Sequence, residues 1–109
     1  MKIAIGSDHA GFNLKHALVE RLEERGITIE DHGCFGTEST DYPDHAAAVA
    51  ADVSQGRADQ GIIVCKSGIG VSITANKFPG VRAALCINTD TPRLARAHNN
   101  ANILCLGSL

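Results

Sequence analysis

Short apolar runs alternate with helix-period segments along the whole chain, and this alternation restricts the possible folds more than any other feature. Three of the runs, IIVC at 62–65, AALCI at 83–87 and ILCL at 103–106, are continuously apolar. Strands that are buried on both faces of a parallel sheet have this pattern. Strand and helix alternate four times before a fifth strand. The sequence therefore predicts an α/β fold, with a five-stranded parallel sheet and helices on both faces in a Rossmann-like arrangement.

Turn residues and apolar periodicity place the boundaries of these elements. Strands are predicted over 2–6, 27–32, 61–65, 81–87 and 102–106, with a loop over 33–40. Gly26 and Gly56 are expected to end the first two helices, and Pro43 lies in the first turn of the second. The first helix has an apolar stripe, which contains Ala10, Leu14, Ala17, Leu18 and Leu22. Its charged and polar side chains are expected mostly on the other faces: Lys15, His16, Glu20, Glu23 and Glu24.

The size and charge of the chain exclude several classes of protein. Its 109 residues suit one domain over 1–109, and a formal charge of −2 with no basic stripe argues against a nucleic-acid partner. No stretch approaches the ~20 apolar residues of a membrane span, and polar residues follow the first run too early for a signal peptide. We therefore expect a cytoplasmic protein without a membrane partner. A small anionic ligand remains compatible with this charge.

The cysteines and most histidines carry no metal-site pattern. The four cysteines are far apart, without a C-x-x-C pair, and are expected to be free thiols: Cys34, Cys65, Cys86 and Cys105. Cys86 and Cys105 are predicted to be small buried side chains, whereas Cys34 lies in a predicted loop and could be exposed. Three histidines are expected to be solvated: His16, His32 and His45. No spacing of possible ligands resembles a metal site.

Three segments with reactive side chains follow strands at the edge where open parallel sheets bind ligands. They are SDH at 7–9, GCFG at 33–36 and CKSGIG at 65–70. The last is a glycine-containing turn that opens a helix, and its free N–H groups can hold a phosphate or a developing oxyanion. It matches neither G-x-x-x-x-G-K-[ST] nor G-x-G-x-x-G. A tight turn that only packs the helix on the strand therefore stays an equal alternative.

Two of these segments allow a chemical and a structural interpretation. Cys65 precedes a helix start, where a thiolate is stabilised and can act as base or nucleophile, but it also suits a small buried side chain. Asp8 and His9 can perform acid–base work on a sugar hydroxyl. Alternatively, Asp8 is a helix N-cap and His9 a surface residue. The residues alone do not decide between these interpretations.

Five motifs in order along the chain resemble one family. They are IGSDHAGF at 5–12, TESTDYPD at 37–44, SGIGVSITANK at 67–77, GVRAALC at 80–86 and ARAHNNANILCLGS at 95–108. With these motifs the chain resembles the B-type ribose-5-phosphate isomerases and their galactose- and allose-6-phosphate isomerase relatives. The resemblance implies a three-layer α/β/α sandwich. It also implies interconversion of aldose and ketose phosphates without metal or organic cofactor.

The resemblance also implies roles for individual residues. Cys65 would be the base that moves a proton between C1 and C2, and His98 would donate a proton in ring opening. The enediolate oxygen would be held by the loop of Lys66, Ser67, Gly68, Ile69 and Gly70, with Ser67 in place of the family's usual Thr. Asp8 and His9 would bind the sugar phosphate. Tyr42 would line the pocket, and Asn99 would bind a substrate hydroxyl.

The geometry of an α/β fold places His98 away from Cys65. Cys65 ends a strand, whereas His98 ends a helix that runs back to the opposite edge of the sheet, and ten helical residues span ~15 Å. A joint role requires His98 and Asn99 to come from a second subunit. We therefore expect a homodimer, or a higher homo-oligomer, with shared active sites.

Two departures from the family pattern leave alternatives open. Lys66 stands where the family usually has Gly; it either strains the backbone, adds positive charge for the anion and the Cys65 thiolate, or points to solvent. The sequence stops at Leu109, where family members usually continue into a helical segment with phosphate-binding arginines. Its absence is expected to leave apolar surface for another chain to cover. A non-catalytic accessory relative, an isomerase for allose or galactose 6-phosphate, and a general anion-binding module are the competing interpretations.

Overall fold

Five parallel strands form the sheet predicted from the apolar runs. The structure is a computed structural model that describes residues 1–36 and 38–109. Its strands are β1 (Lys2–Ser7), β2 (Thr28–Asp31), β3 (Gln60–Cys65), β4 (Ala83–Leu85) and β5 (Ile103–Gly107). They pair in the order β2-β1-β3-β5-β4, and each pair is parallel. The predicted five-stranded parallel sheet is confirmed. Thr37, in the predicted loop over 33–40, lies outside the described residues.

Helices cover both faces of this sheet. They are α1 (Phe12–Glu24), which follows a short 3-10 turn over His9–Gly11, α2 (Tyr42–Ser54), α3 (Ile69–Ala75) and α4 (Asp90–Asn99). Successive strand residues point to opposite faces, so Ile62 and Val64 pack with α1 whereas Ile63 packs with α2 and α3. An apolar groove separates α4 from the face that α1 covers; its lining includes Ile62, Leu104 and Ala95. The predicted three-layer sandwich is confirmed. None of the described helices has the length and apolar character needed to cross a membrane.

Glycines end the first two helices as predicted. Gly26 and Gly56 have φ angles of 78° and 76°, which the missing side chain permits. The edge strand β4, in contrast, is shorter than the predicted 81–87. At its start, Arg82 N–H donates a hydrogen bond to the side-chain oxygen of Asn102 at 2.8 Å. Ala83 N–H donates in the same way to Asn76, also at 2.8 Å. Side-chain amides thus satisfy backbone N–H groups at the start of this edge strand.

The prediction that Lys15 lies on a polar face of α1 was wrong. Its side chain is only 2% exposed, and its ammonium bonds Asp31. Ala10 and Ala17 were placed on the buried stripe, but both are exposed. Ala10 precedes α1, which begins only at Phe12 after the 3-10 turn, and Ala17 lies outside the face that packs on the sheet. The face that packs on the sheet carries Leu14, Leu18, Val19 and Leu22, together with Lys15.

Cys34, which could have been exposed, is buried, and the expectation that His32 and His45 are solvated was wrong. Cys34 is buried, because the chain after β2 continues to pair with β1: Ser7 N–H donates to Gly33 O at 2.6 Å, and Cys34 N–H donates to Ser7 O at 2.7 Å. His32 is half-buried, and its Nε2 lies within hydrogen-bond distance of Asp52 Oδ2. His45 is also half-buried, next to the His32 carbonyl. His16 is exposed, as expected.

Candidate functional site

The turn between β3 and α3 holds a thiol against a backbone N–H group. Cys65 is the last residue of β3 and is buried. Its Sγ accepts a hydrogen bond from Gly68 N–H at 3.1 Å. The turn reverses tightly because Gly68 has a φ of 80°, which suits glycine. Ser67 Oγ accepts the N–H of Ile69 at 3.1 Å. The turn thus holds the sulfur beside a backbone donor at the point where the strand ends and the helix begins.

Residues at and just after the end of β5 form hydrogen bonds and close contacts with the backbone of this turn. Ser108 N–H donates to the carbonyls of Cys65 and Lys66 at 2.9 and 3.1 Å. A Cβ at Gly107 would lie 2.9 Å from the Ser67 carbonyl, so the two segments pack backbone on backbone. The position of the thiol is therefore fixed by two neighbouring strands.

Lys66 is tolerated without backbone strain. Among the described non-glycine residues only Asn100 has a positive φ, so Lys66 does not occupy a conformation reserved for glycine. Its side chain is exposed. Of the three interpretations that the sequence left open, the structure agrees with a lysine that points to solvent.

The segment after β1 reaches the same edge of the sheet. Asp8 is buried, and its N–H donates to the carbonyl of Val64, the neighbour of Cys65 in β3, at 3.3 Å. Its Oδ1 accepts a hydrogen bond from Gly11 N–H at 3.1 Å, so Asp8 has the N-cap role that the sequence left open as one of two alternatives. His9 Nδ1 accepts Thr40 N–H at 3.1 Å. The same nitrogen lies 3.2 Å from the Thr40 carbonyl oxygen, so the backbone of Thr40 fixes the position of the ring.

Tyr42 closes the site from the start of α2. A Cβ at Gly70 would lie 2.6 to 2.8 Å from three atoms at the outer end of the Tyr42 ring. The ring therefore rests directly on the backbone of the turn between β3 and α3. Because Tyr42 is 38% exposed, one part of it remains free to contact a ligand. Three of the predicted segments thus meet at the carboxyl edge: the turn of Cys65, the pair Asp8 and His9, and Tyr42.

The thiols in the sheet have different environments. Burial, and secondly the neighbouring thiols of Cys65 and Cys86, raise the pKa of the Cys105 thiol to about 12. Cys105 is fully buried in the core, and Cys86 is buried too. Both agree with the predicted role of small buried side chains. Cys65 differs because it accepts a backbone N–H group at the end of its strand.

His98 and Asn99 lie at the opposite, amino edge of the sheet. The Asn99 carbonyl accepts a hydrogen bond from Nε of Arg82, the residue before β4, at 2.6 Å. The six residues of β3 separate this edge from Cys65 by about 16 Å of strand. Both side chains are exposed. The chain therefore does not bring His98 to its own Cys65.

Two ionic clusters, each with a buried lysine or aspartate, were missed from the sequence. One is the pair of Lys15 and Asp31. The other joins Asp52 to His32 and to Arg57, whose Nε donates to Asp52 Oδ1 at 2.8 Å. Burial raises the pKa of Asp52, but the hydrogen bonds and charges of His32 and Arg57 outweigh it and hold that pKa below its usual range. Residues 15, 18 and 22 lie on one face of a helix, and two of them are leucines that pack on the sheet. This spacing was the signal in the sequence that Lys15 lies inward.

Possible metal ligands do not converge in the part of the chain that the structure describes. No group of three His, Cys, Asp or Glu side chains there has the geometry to hold an ion. The polar groups at the carboxyl edge instead suit a ligand with hydroxyl and anionic oxygens. A carboxylate, an imidazole, a phenol and backbone N–H groups all lie there.

Comparison with known proteins identifies close relatives. A family model described as Ribose/Galactose Isomerase matches residues 3–109. Ribose-5-phosphate isomerase B of Escherichia coli is 49% identical over 107 residues, which cover 98% of this chain and 72% of that protein. The solved structure of ribose-5-phosphate isomerase B from Clostridium thermocellum has a TM-score of 0.97 at 52% identity, covering 98% of this chain and 72% of that one.

A second solved structure has a ligand. Ribose-5-phosphate isomerase B from Mycoplasma genitalium, with bound ribulose-5-phosphate, has a TM-score of 0.93 at 43% identity. The match covers 98% of this chain and 73% of that one. The similarity thus extends over nearly all of the present sequence and about three quarters of each relative.

Proposed function

Because this chain belongs to the ribose/galactose isomerase family, we propose that it interconverts ribose 5-phosphate and ribulose 5-phosphate. The observation that carries the proposal is the Cys65 thiol at the end of β3, with Gly68 N–H 3.1 Å from its sulfur. An aldose–ketose isomerase needs a base beside C1 and C2 and donors at the neighbouring oxygen. One turn supplies both kinds of group.

In the proposed reaction, Cys65 moves one proton between two carbons. The thiolate removes the proton from C2 of the open-chain aldose, and the electron pair passes to the carbonyl oxygen at C1. The resulting enediolate is stabilised by N–H groups of the loop 66–70. Cys65 then returns the proton to C1, while the hydroxyl proton at O2 moves to O1, so the ketose has the same atoms as the aldose.

The remaining residues bind and open the substrate. His9 contacts the sugar phosphate, and the Asp8 carboxylate accepts a hydrogen bond from a hydroxyl group. The exposed part of Tyr42 lines the pocket above Gly70. His98 donates a proton to the ring oxygen, and Asn99 binds a substrate hydroxyl. Ring opening must precede isomerisation, because the furanose form has no carbonyl group.

We further propose that two copies of the chain share their active sites. The opposite positions of Cys65 and His98 support a second subunit, since about 16 Å of strand lies between the edges. Exposed apolar side chains also support it. Ile69 and Ile73, one turn apart on α3, are 53% and 58% exposed, and such side chains are commonly covered in oligomers.

The identity of the sugar phosphate is the finer part of the proposal. Ribose 5-phosphate is favoured because the matched Escherichia coli relative is named for it and the Mycoplasma genitalium relative was solved with ribulose-5-phosphate. The same relatives favour an enzyme over a non-catalytic accessory protein. Allose 6-phosphate and galactose 6-phosphate are the alternative substrates to be compared.

The test is an isomerase assay of wild type, Cys65→Ala and Cys105→Ala. Wild type should form ribulose 5-phosphate from ribose 5-phosphate with a higher kcat/KM than from the two hexose phosphates. Cys65→Ala should lower kcat about 1,000-fold, as expected for loss of the acid–base group. Cys105→Ala is the matched control. It should cost about 1 kcal/mol of unfolding free energy and leave kcat within about twofold.

Two results would contradict the proposal. Wild-type protein that neither converts nor binds ribose 5-phosphate would exclude the activity. Full activity of Cys65→Ala would leave the activity in place but remove the thiol from the mechanism.

A further inference from the structure

Lys15 is the largest fully buried side chain of the described residues, although it carries an ammonium group. Lysines are almost never buried to this extent unless they are paired. Its Nζ donates to both carboxylate oxygens of Asp31, at 2.9 and 2.7 Å. It also lies 5.5 Å from the ring centre of Phe12 and 5.1 Å from that of Phe35. The ammonium is thus enclosed by α1, the end of β2 and the segment that follows β2.

A continuous chain of hydrogen bonds runs from this pair to the proposed site. Asp31 Oδ1 accepts the N–H of Gly33 at 2.8 Å. The Gly33 carbonyl accepts Ser7 N–H at 2.6 Å, and Ser7 O accepts Cys34 N–H at 2.7 Å. Ser7 is the last residue of β1, and Asp8 and His9 follow it directly. These hydrogen bonds link Lys15 to the site through Asp31, Gly33 and Ser7.

A buried ion pair needs an explanation beyond stability. Replacing such a pair by apolar side chains of similar volume is often neutral or stabilising, because desolvation offsets the Coulomb attraction. A second pair on the same strands shows the contrast. Lys2 Nζ and Glu30 on β2 are 3.8 Å apart, and their side chains are 43% and 50% exposed. Among the described contacts, neither Lys2 Nζ nor the Glu30 carboxylate forms a hydrogen bond with the segment after β2. The Asp31 carboxylate, in contrast, accepts hydrogen bonds from both Lys15 and Gly33.

We propose that Lys15 is a positioning residue for the substrate. Through Asp31 its ammonium holds the Gly33–Cys34 segment against Ser7, and this fixes Asp8 and His9 in the orientation that binds the sugar phosphate. The proposal rests on the proposed isomerase function. It assigns the ammonium no contact with the substrate and no step in proton transfer.

The experiment compares Lys15→Met and Asp31→Asn with the matched control Lys2→Met. Lys15→Met keeps the length of the side chain and removes the charge, while Asp31→Asn keeps an oxygen for Gly33 N–H. Two quantities are measured on folded protein, as checked by circular dichroism. One is KM and kcat for ribose 5-phosphate. The other is the rate at which N-ethylmaleimide labels Cys34, followed by peptide mass spectrometry.

The expected result is a KM at least tenfold higher in both variants, with kcat lowered by less than threefold. Cys34 should react at least tenfold faster, because the segment that buries it is released. Lys2→Met should change neither quantity by more than twofold. A purely structural role would reduce the yield of folded protein without raising KM, so this separation between KM and kcat is specific to positioning.

Unchanged KM and a protected Cys34 in folded variants, with active wild type, would overturn the positioning role alone. If Lys15→Met fails to fold, Asp31→Asn decides by the same criteria. If both fail to fold while Lys2→Met folds, the role is structural and the proposal is wrong. Absence of turnover in wild type would instead refute the proposed function, a result distinct from unchanged KM.

Discussion

The two edges of the sheet differ in how completely one chain builds them. At the carboxyl edge, Asp8, Tyr42 and Cys65 come from three separate elements and are held by backbone hydrogen bonds or direct packing. At the amino edge, His98 and Asn99 are exposed, and the chain places no part of the carboxyl-edge site beside them. Under the proposed function, one half of the site is built within the chain, and the other half, with His98 and Asn99, is presented to a second subunit. The next experiments test this contrast.

Apart from loss of the Cys65 thiol, the largest effect on activity is expected from His98→Ala. Loss of a proton donor in ring opening should lower kcat/KM for ribose 5-phosphate about 100-fold. Thermal stability should hardly change, because the side chain is exposed. Steady-state kinetics and a melting curve measure the two quantities. His16→Ala, another exposed histidine, is the control and should keep full activity. Equal activity of the two variants would remove the amino edge from the site.

A smaller effect is expected from Gly70→Ala at the carboxyl edge. The added Cβ would meet the Tyr42 ring at 2.6 to 2.8 Å, so the ring must move. Such overpacking costs about 1 kcal/mol, and we expect KM to rise about fivefold. The control is Gly36→Ala, where a Cβ meets no atom within 4 Å. If both variants keep the wild-type KM, Tyr42 does not line the pocket.

The smallest effect on activity is expected from Asp52→Asn, which should change stability alone. Asp52 has a lowered pKa in the folded protein, so its ionised form stabilises the fold above the unfolded pKa of about 3.9. This stabilisation is lost as the pH falls through the lower folded value. The variant should be less stable by about 2 kcal/mol at neutral pH, and the difference should shrink below pH of about 3.9.

Urea unfolding at a series of pH values measures this difference. The exposed Asp44 on the same helix supplies the control, since Asp44→Asn should cost less than about 1 kcal/mol. A stability difference for Asp52→Asn that stayed constant down to pH 2 would contradict the assignment. A changed KM would show that the His32 cluster belongs to the site after all.

The sequence was sufficient for the architecture and for the turn of Cys65. Continuous apolar runs predict a parallel sheet because such strands must be covered on both faces, and the structure has that sheet. The N-cap at Asp8 also follows from local rules, since its partner Gly11 is three residues away. Predictions of this kind need only neighbouring residues.

The errors concern partners that are distant in sequence. Lys15 was placed outward because an amphipathic pattern assigns charged residues to solvent, while its partner Asp31 is 16 residues further on. Cys34 was placed in an open loop, yet its burial depends on pairing with Ser7, 27 residues earlier. The position of β4 at the edge, beside β5, likewise required the three-dimensional structure.

The measurement that tests the account most directly is activity restored by mixing two inactive chains. Cys65→Ala and His98→Ala are co-expressed with different tags, and the mixed species is purified. If the sites are shared, a mixed dimer has both residues intact at one of its two sites, so the purified mixed dimer should have about half of wild-type activity. Mixed dimers as inactive as either parent would contradict the claim that Cys65 of one chain works with His98 of another.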